Sequence, residues 1–282
     1  MPLKTVLITG CGGAGIGSAL AIEFHLRGHR VFATGISEAQ TTHLADLGVE
    51  CFALDVTSTI SLRHAVSRIT DATGGKLDIL INNAGITQIL PFADADVEAA
   101  RRIMDVNFLG VFATTKAFLP LLIEGARRGQ GDSIVANVGS VNQVFHPPLL
   151  GAYNASKAAV ETWGASIRTE LAPLGVRVVT LKTGSIRSDL FKNAPPTVLP
   201  DDSFYRPAKE YIEGRKMLEE GQFVDAKFYA KNVVDRLLRP KVSHVIWQGG
   251  LSTVAWLLSW FGWEGMMDGY LSRMHQFNKV HP

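Results

Sequence analysis

The chain reads as an α/β protein: a doubly wound parallel sheet with helices on both faces, three layers in all, and an apolar helical extension at its C-terminal side. Two observations predict this. Short apolar runs of strand length alternate with longer helix-periodic stretches through about the first 190 residues. Repeats of that unit fold as parallel strands joined by helical crossovers. In addition, a glycine-rich turn, Thr9-Gly10-Cys11-Gly12-Gly13-Ala14-Gly15-Ile16-Gly17, stands between the first strand and the first helix. Strand, glycine turn and helix in that order suit a dinucleotide pyrophosphate. The glycines let the backbone approach the phosphates, and the helix N-terminus offers free amides and a positive dipole end.

The elements follow in order. Residues 4–8 form a short apolar strand, and an apolar-periodic stretch over 18–26 follows the glycine turn. The next unit pairs a strand at 29–34 with a helix at 37–47, and the third pairs a strand at 50–56 with a helix at 59–73. A fourth strand, 77–82, ends in Asn82-Asn83-Ala84-Gly85, and a long helix over about 95–122 carries Asn107. Ser133-Ile134-Val135-Ala136-Asn137-Val138-Gly139 reads as a buried strand with Ser140 at its end. The helix bearing Tyr153-Asn154-Ala155-Ser156-Lys157 ends near Leu174-Gly175, and a sixth strand takes 176–182. Prolines and helical stretches such as 208–220 alternate over about 187–232, and a last strand takes 243–247. One domain therefore spans 1–250, with 251–282 as an apolar extension packed on the core or on a membrane surface.

Composition narrows the function. The chain of 282 residues is 46% apolar, enough for a sizeable core, and one α/β domain holds that length. Twenty-eight basic against 26 acidic residues leave a net charge of +2, which gives no electrostatic case for nucleic acid. The doublets Arg101-Arg102 and Arg127-Arg128 are isolated and belong on solvated helix faces. Two cysteines, Cys11 and Cys51, offer neither a disulfide framework nor a metal cluster, and Cys11 suits packing better than nucleophilic attack. With a strand beginning within a few residues of Met1, no signal peptide is expected, and the cytoplasm or a cytosol-facing membrane surface is the expected location.

Tyr153 and Lys157 carry the chemistry. Four residues apart on a helix, they share a face, and an ammonium beside a phenol is expected to pull its pKa below about 10. A tyrosine so tuned is a proton donor and acceptor near neutral pH. Ser140, at the strand end, is placed to hold a substrate oxygen against it. This is a carbonyl-reducing site in outline.

Taken as a set, Thr9-Gly10…Gly15-Ile16-Gly17, Asn82-Asn83-Ala84-Gly85, Asn107, Ser140 and Tyr153…Lys157 resemble the short-chain dehydrogenase/reductase superfamily, whose sheet is of the Rossmann type. The glycine turn holds one residue more than the usual TGxxxGxG spacing, Thr183-Gly184-Ser185-Ile186-Arg187-Ser188 replaces the common Pro-Gly segment, and an aromatic tail follows. These details are similar to a narrower group, the fungal proteins resembling NADPH-dependent 1-acyl-dihydroxyacetone-phosphate reductase.

The resemblance implies roles. Tyr153 is the general acid, Ser140 steadies the carbonyl oxygen, Lys157 holds the nicotinamide ribose and lowers the Tyr153 pKa, and Asn107 anchors a proton-relaying water. Asn107 read simply as a buried polar group satisfying a helix kink is compatible with that role. Thr9, Gly10, Gly15, Ile16 and Gly17 belong to the pyrophosphate turn, Thr34 to the 2′ position, and Asp55 and Val56 to the adenine. Asn83, Ala84 and Gly85 line the adenosine side, and Thr183, Gly184, Ile186 and Ser188 meet the nicotinamide amide. The missing proline at Thr183 is expected to loosen that segment. No metal is implied.

Cofactor choice rests on Thr34-Gly35-Ile36-Ser37, which has neither an acid to hold the 2′-hydroxyl of NAD nor an arginine to hold a 2′-phosphate. With no repelling carboxylate there, and Thr34 and Ser37 as neutral donors, NADP(H) is favoured and NAD(H) remains open. The region over about 187–232 is read as a substrate lid, and Val144, Phe145, Leu149 and Leu150 as an apolar wall, with His146 beside them. A bulky lipophilic ketone or secondary alcohol fits. The alternatives are a secondary-metabolite ketone, a non-redox epimerase or dehydratase, or a binding module. The intact Asn107, Ser140, Tyr153 and Lys157 set argues against the last.

The tail segment 251–263 is strongly apolar yet shorter than the roughly 20 residues a membrane span requires. It reads as a helix covering the substrate pocket or a subunit interface, or alternatively as one resting on a membrane or lipid droplet with tryptophans at the boundary. The resemblance also implies a homodimer or homotetramer through the helices of Asn107 and Tyr153.

Overall fold

The computed structural model describes residues 3–129, 131–219 and 221–280. Seven strands form one sheet among the described residues: β1 (Thr5–Ile8), β2 (Arg30–Gly35), β3 (Glu50–Ala53), β4 (Ile79–Asn82), β5 (Ser133–Val138), β6 (Val176–Thr183) and β7 (Val245–Gln248). Their order is β3-β2-β1-β4-β5-β6-β7, every pair parallel. The order reverses between β1 and β4, which places the ligand crevice at the carboxyl ends of these two strands.

The helices are α1 (Ile16–Leu26), α2 (Thr42–Ala45), α3 (Thr59–Thr73), α4 (Val97–Met104), α5 (Gly110–Arg128), α6 (Asn142–Phe145), α7 (Gly151–Leu171), α8 (Lys209–Glu213), α9 (Ala226–Leu237), α10 (Ser252–Phe261) and α11 (Asp268–Met274). Strand side chains alternate between two cores, as a pleat of period two requires. Val6, Ile8, Ile79 and Ile81 join Phe24 of α1 and Val233 and Val234 of α9 on one face. Leu7 and Leu80 join Leu62 of α3, Phe118 and Leu122 of α5 and Leu171 of α7 on the other. The stretch 97–128 is apolar and long enough to cross a membrane, and its inner face lies in this second core.

Three departures from the sequence-based expectations have local causes. The expected helix at 37–47 is instead a 3-10 turn, Glu38–Thr41, followed by the four-residue α2. Thr41 and Thr42 donate their hydroxyls back to the carbonyls of Glu38 and Ala39, at 3.0 and 3.3 Å, which competes with regular helix. The expected long helix at 95–122 runs on to Arg128 and contains a π turn, Asp105–Leu109, centred on Asn107. The helix expected at 208–220 breaks after α8, where Arg215 takes a left-handed conformation (φ 50°). Residue 220 lies outside the described residues. The loop between β6 and α9 and the tail together build a third apolar cluster, described below.

Candidate active site

The glycine turn is held against the end of β4. Gly10 has a φ of 71°, and a β-carbon there would lie 2.6 Å from the Ala84 Cα; one on Gly17 would meet the Asn83 side chain and the Gly10 carbonyl at the same distance. The turn and the Asn82–Gly85 segment can touch only because these positions are glycine. Thr9 and Asn83 tie the contact. The Thr9 hydroxyl accepts from the Asn83 and Ala84 amides (3.0 and 3.1 Å), and the Asn83 side chain donates to the carbonyls of Thr9 and Gly10 (2.9 and 2.8 Å). Both side chains act on the shape of the turn. Cys11 is buried, its thiol is pushed up to about 12 by burial, and it fills space as expected.

The turn also shows that it accepts an anion. The Ala14 amide donates to a carboxylate oxygen of Asp189 at 2.8 Å, across 175 residues of chain. Gly15 caps α1 without a side-chain bond, leaving the first-turn amides to whatever lies beyond them. A pyrophosphate fits this donor set. Ile16, the first residue of α1, packs its side chain against the core.

The expected adenosine contacts divide. Thr34 is 0% exposed and its hydroxyl donates to the Ile8 carbonyl at 3.3 Å, so it is part of the sheet and does not offer a donor to a 2′ group. A residue at an inward position of a central strand is buried on whichever face it points to, which corrects the role expected of it. Asp55 accepts from the Thr57 amide and hydroxyl (2.9 and 2.7 Å) through one carboxylate oxygen. Val56 is buried close to Gly110 at the start of α5.

Across the sheet switch point lie the proposed reacting groups. Tyr153 and Lys157 project from α7, 8% and 5% exposed, with the Lys157 Nζ 5.7 Å from the centre of the Tyr153 ring. Lys157 donates to the Val138 carbonyl at 2.8 Å. Ser140 hydrogen-bonds the Tyr153 phenol and also accepts from the Asn142 amide at 3.1 Å. Asn107 is 0% exposed: its oxygen accepts from the Ile86 amide (2.8 Å), and its nitrogen donates to the Ile86 carbonyl and the Ser156 hydroxyl (3.0 Å each). Gly85 completes the group, since a β-carbon there would stand 3.3 Å from the Asn107 oxygen and 3.7 Å from the Lys157 Nζ. Asn107, Ser140, Tyr153 and Lys157 thus gather around one point at the ends of β4 and β5.

The electrostatics differ from the sequence-based expectation. Burial pushes the Tyr153 phenol up to about 12, against the opposing pull of the Ser140 hydrogen bond, and burial holds Lys157 down at about 8. Removal from water is the largest cause in both groups. The phenol is therefore a proton donor at neutral pH and not a ready acceptor.

The segment after β6 is firmly held, contrary to the loosening expected from the missing proline. Thr183 keeps the strand register opposite Gln248, its hydroxyl lies 2.8 Å from the Tyr229 hydroxyl, and its carbonyl accepts from Val141 at 3.0 Å. Gly184 donates to Gln248, and Ser185 and Arg187 pair with Gly250 and Val224. Ile186 turns its side chain into the core. Ser188 is half-buried.

Around the Tyr153 ring, Ile89, Leu149, Leu150, Leu199, Ala208, Tyr211 and Ile212 form the third apolar cluster. Arg215 fastens this lid from outside, donating to the carbonyls of Phe191, Ala194 and Pro195 and to the Thr197 hydroxyl. The tail adds to it: the Phe277 ring lies 5.5 Å from that of Tyr205 at a tilt of 56°, and His275 lies 5.7 Å from Tyr211. His146, in a left-handed conformation at the end of α6, is exposed. Sequence reasoning missed Asp189 and Arg215, whose contacts no motif announces.

A dinucleotide cradle and a buried tyrosine–lysine pair on one doubly wound sheet define an oxidoreductase site. Comparison with known proteins gives the family. A family model described as short chain dehydrogenase matches residues 4–198. The chain is 35% identical over 281 residues to the short-chain dehydrogenase fogD of Aspergillus ruber, covering 99% of this chain and 96% of that one. It is also 35% identical over 277 residues to the short-chain dehydrogenase srdE of Neurospora crassa, covering 98% and 93%. Among solved structures, a 3-ketoacyl-(acyl-carrier-protein) reductase from Brucella melitensis complexed with NADH matches with a TM-score of 0.72 at 26% identity, over 86% of this chain and 95% of that one. The Pseudomonas aeruginosa RhlG/NADP complex matches with a TM-score of 0.61 at 26% identity, over 67% and 75%. The chain belongs to the short-chain dehydrogenases and is an NAD(P)-dependent oxidoreductase.

Proposed function

We propose that the protein is a cytoplasmic, NADPH-dependent reductase of bulky, uncharged lipophilic ketones. The observation that carries this reading is the buried Tyr153 phenol, close to Lys157 on the same helix and enclosed by apolar side chains. When bound, the nicotinamide supplies the hydride that the carbonyl carbon receives. Ser140 donates to the carbonyl oxygen and aligns it, and Tyr153 delivers its proton there as negative charge develops. Lys157, charged below about pH 8, stabilises the phenolate left behind and is held in line by the Val138 carbonyl. The lid excludes water from this exchange. In the oxidative direction the same phenol has to lose its proton before it can accept one from the alcohol.

The apolar cluster also favours one substrate class over another. A phosphorylated ketone of the acyl-dihydroxyacetone-phosphate kind needs a cation near Tyr153, and the Arg215 guanidinium is committed to main-chain carbonyls. The relatives quoted above are fungal short-chain dehydrogenases similar along almost the whole chain, which supports a tailoring oxidoreductase acting on a secondary-metabolite ketone. The test is NADPH oxidation against a panel of neutral cyclic and long-chain ketones and one phosphorylated ketone, with Tyr153→Phe as control. Turnover on neutral ketones that falls by about 10² or more in the variant, with NADPH affinity kept, is expected. Preference for the phosphorylated ketone would reverse the substrate assignment.

Two assembly features belong to the same reading. Leu109 and Phe112, exposed on the outer side of the long helices near Trp163, suit a homodimer, checked by light scattering. On α10, Ser252 and Ala255 face the protein while Trp256, Trp260 (71% exposed) and Phe261 (78%) face outward, which suits contact with a lipid surface. Flotation with phosphatidylcholine vesicles tests this, with loss of binding expected in Trp260→Ser.

A further inference from the structure

We propose that Tyr229 is a positioning residue for the reduction, holding the main chain around Ser140 and the segment after β6 in place through Thr183. This goes beyond the reaction proposed above and rests on it. Tyr229 stands on the first turn of α9, fully buried in the core that also holds Leu20 and Phe24 of α1. Its hydroxyl lies 2.8 Å from the Thr183 hydroxyl, which donates to the Leu181 carbonyl at 3.3 Å. With the threonine proton directed to Leu181, the Thr183 oxygen accepts from the tyrosine. Burial holds the Tyr229 phenol well above its usual range, so it keeps that proton at neutral pH.

The two carbonyls joined by this chain of bonds bracket Ser140. The Leu181 carbonyl accepts from the Gly139 amide at 2.9 Å, and the Thr183 carbonyl accepts from the Val141 amide at 3.0 Å. The serine that aligns the substrate oxygen therefore hangs from β6 at the two residues that the Thr183 side chain spans. On the other edge of β6, Gly184 donates to the Gln248 carbonyl at 2.9 Å, and Ser185 and Gly250 exchange bonds at 3.0 and 3.2 Å. A proline at position 183 would restrain the backbone through its ring. Threonine lacks that restraint, and the Tyr229 hydroxyl supplies one from outside the backbone. This accounts for the firm hold on the segment. Hydride and proton transfer depend on sub-ångström alignment of the reacting groups, so a small slip of Ser140 or of this segment acts on the chemical step.

The test uses the full chain, NADPH with and without deuterium at the transferring C4 position, and a neutral cyclic ketone that the wild type reduces. Tyr229→Phe deletes one hydroxyl and leaves Thr183 bonded to Leu181, so no buried polar group is stranded. Its single-turnover rate of hydride transfer is expected to fall about tenfold, with the ketone KM, the NADPH Kd and the urea midpoint near wild type. The deuterium isotope effect on kcat is expected to match or exceed that of the wild type, which assigns the loss to the chemical step. Thr183→Val keeps the branched shape and is expected to slow transfer by a similar factor. The double variant should be no slower, because the two hydroxyls act as one unit. Effects that multiply in the double variant overturn the proposal. So does a Tyr229→Phe rate equal to wild type, or a loss of rate that comes with a lowered urea midpoint and a smaller isotope effect. A wild type inert toward every ketone of the panel overturns the proposed reaction, and this inference with it. Normal wild-type turnover beside an unaffected Tyr229→Phe removes the inference alone.

Discussion

On the cofactor side of the cleft, Thr9, Asn83 and Asn107 commit their polar atoms to main-chain partners up to 75 residues away. On the substrate side, the lid is an apolar cluster closed by a single arginine that bridges three carbonyls and a threonine. The first arrangement fixes backbone shape at the ends of β1 and β4 and has no freedom to adapt. The second is non-directional within and pinned at its edge, so it can be reshaped by its occupant. A ligand held by backbone shape demands the rigid half, and one held by apolar contact demands the adaptable one.

The sharpest way to break this contrast is Asn107→Ala. It removes the partner of the Ile86 amide and carbonyl and of the buried Ser156 hydroxyl, and is expected to lower stability by about 1–3 kcal/mol, read by urea denaturation. An equally large loss from any lid substitution would erase the distinction. Next comes pH. Lys157 has its pKa lowered to about 8, so its charge is present below that value and lost above it, whereas Tyr153, raised to about 12, stays protonated throughout. Ketone reduction at saturating cofactor is expected to fall about tenfold per unit above pH 8, and Lys157→Arg should move that break upward if the variant folds. A break that stays at pH 8 in Lys157→Arg would assign it to another group.

The substrate side should respond differently. Arg215→Ala is expected to raise KM for a bulky ketone by about tenfold and to open residues 187–219 to limited proteolysis, with global stability changed by less than about 1 kcal/mol. The smallest effect is expected from Asp189→Asn. Its carboxylate holds the Ala14 amide that a pyrophosphate would also use, so removing the charge should tighten NADPH about threefold, measured by titration. Weaker binding in that variant would mean that Asp189 supports the turn and does not compete for it.

Legibility in the sequence follows the same divide. The strand-end residues were readable because each sits at a fixed offset from an apolar strand, where spacing alone determines position. Thr34 was misassigned because its position along β2 was right but its face was not visible in a strand buried on both sides. The Tyr153 phenol lies higher than its spacing from Lys157 suggests, since helical spacing reports the neighbouring ammonium and says nothing of burial. Asp189 and Arg215 left no motif. Asp189 acts across 175 residues, and Arg215 depends on a left-handed break after α8.

The strand order has a further consequence, for the timing of folding. β1 lies inside the sheet between β2 and β4, and Thr5 bonds the Asp78 carboxylate through both its amide and its hydroxyl, 73 residues along the chain. During synthesis at about 5–20 residues per second, β1 waits roughly 4–15 s for β4, with the apolar Val6, Leu7 and Ile8 uncovered on that edge. The glycine turn cannot take its shape in that interval either, because Asn83 and Ala84, which hold it, follow β4. Binding of the dinucleotide thus becomes possible only after the sheet has closed around its own beginning.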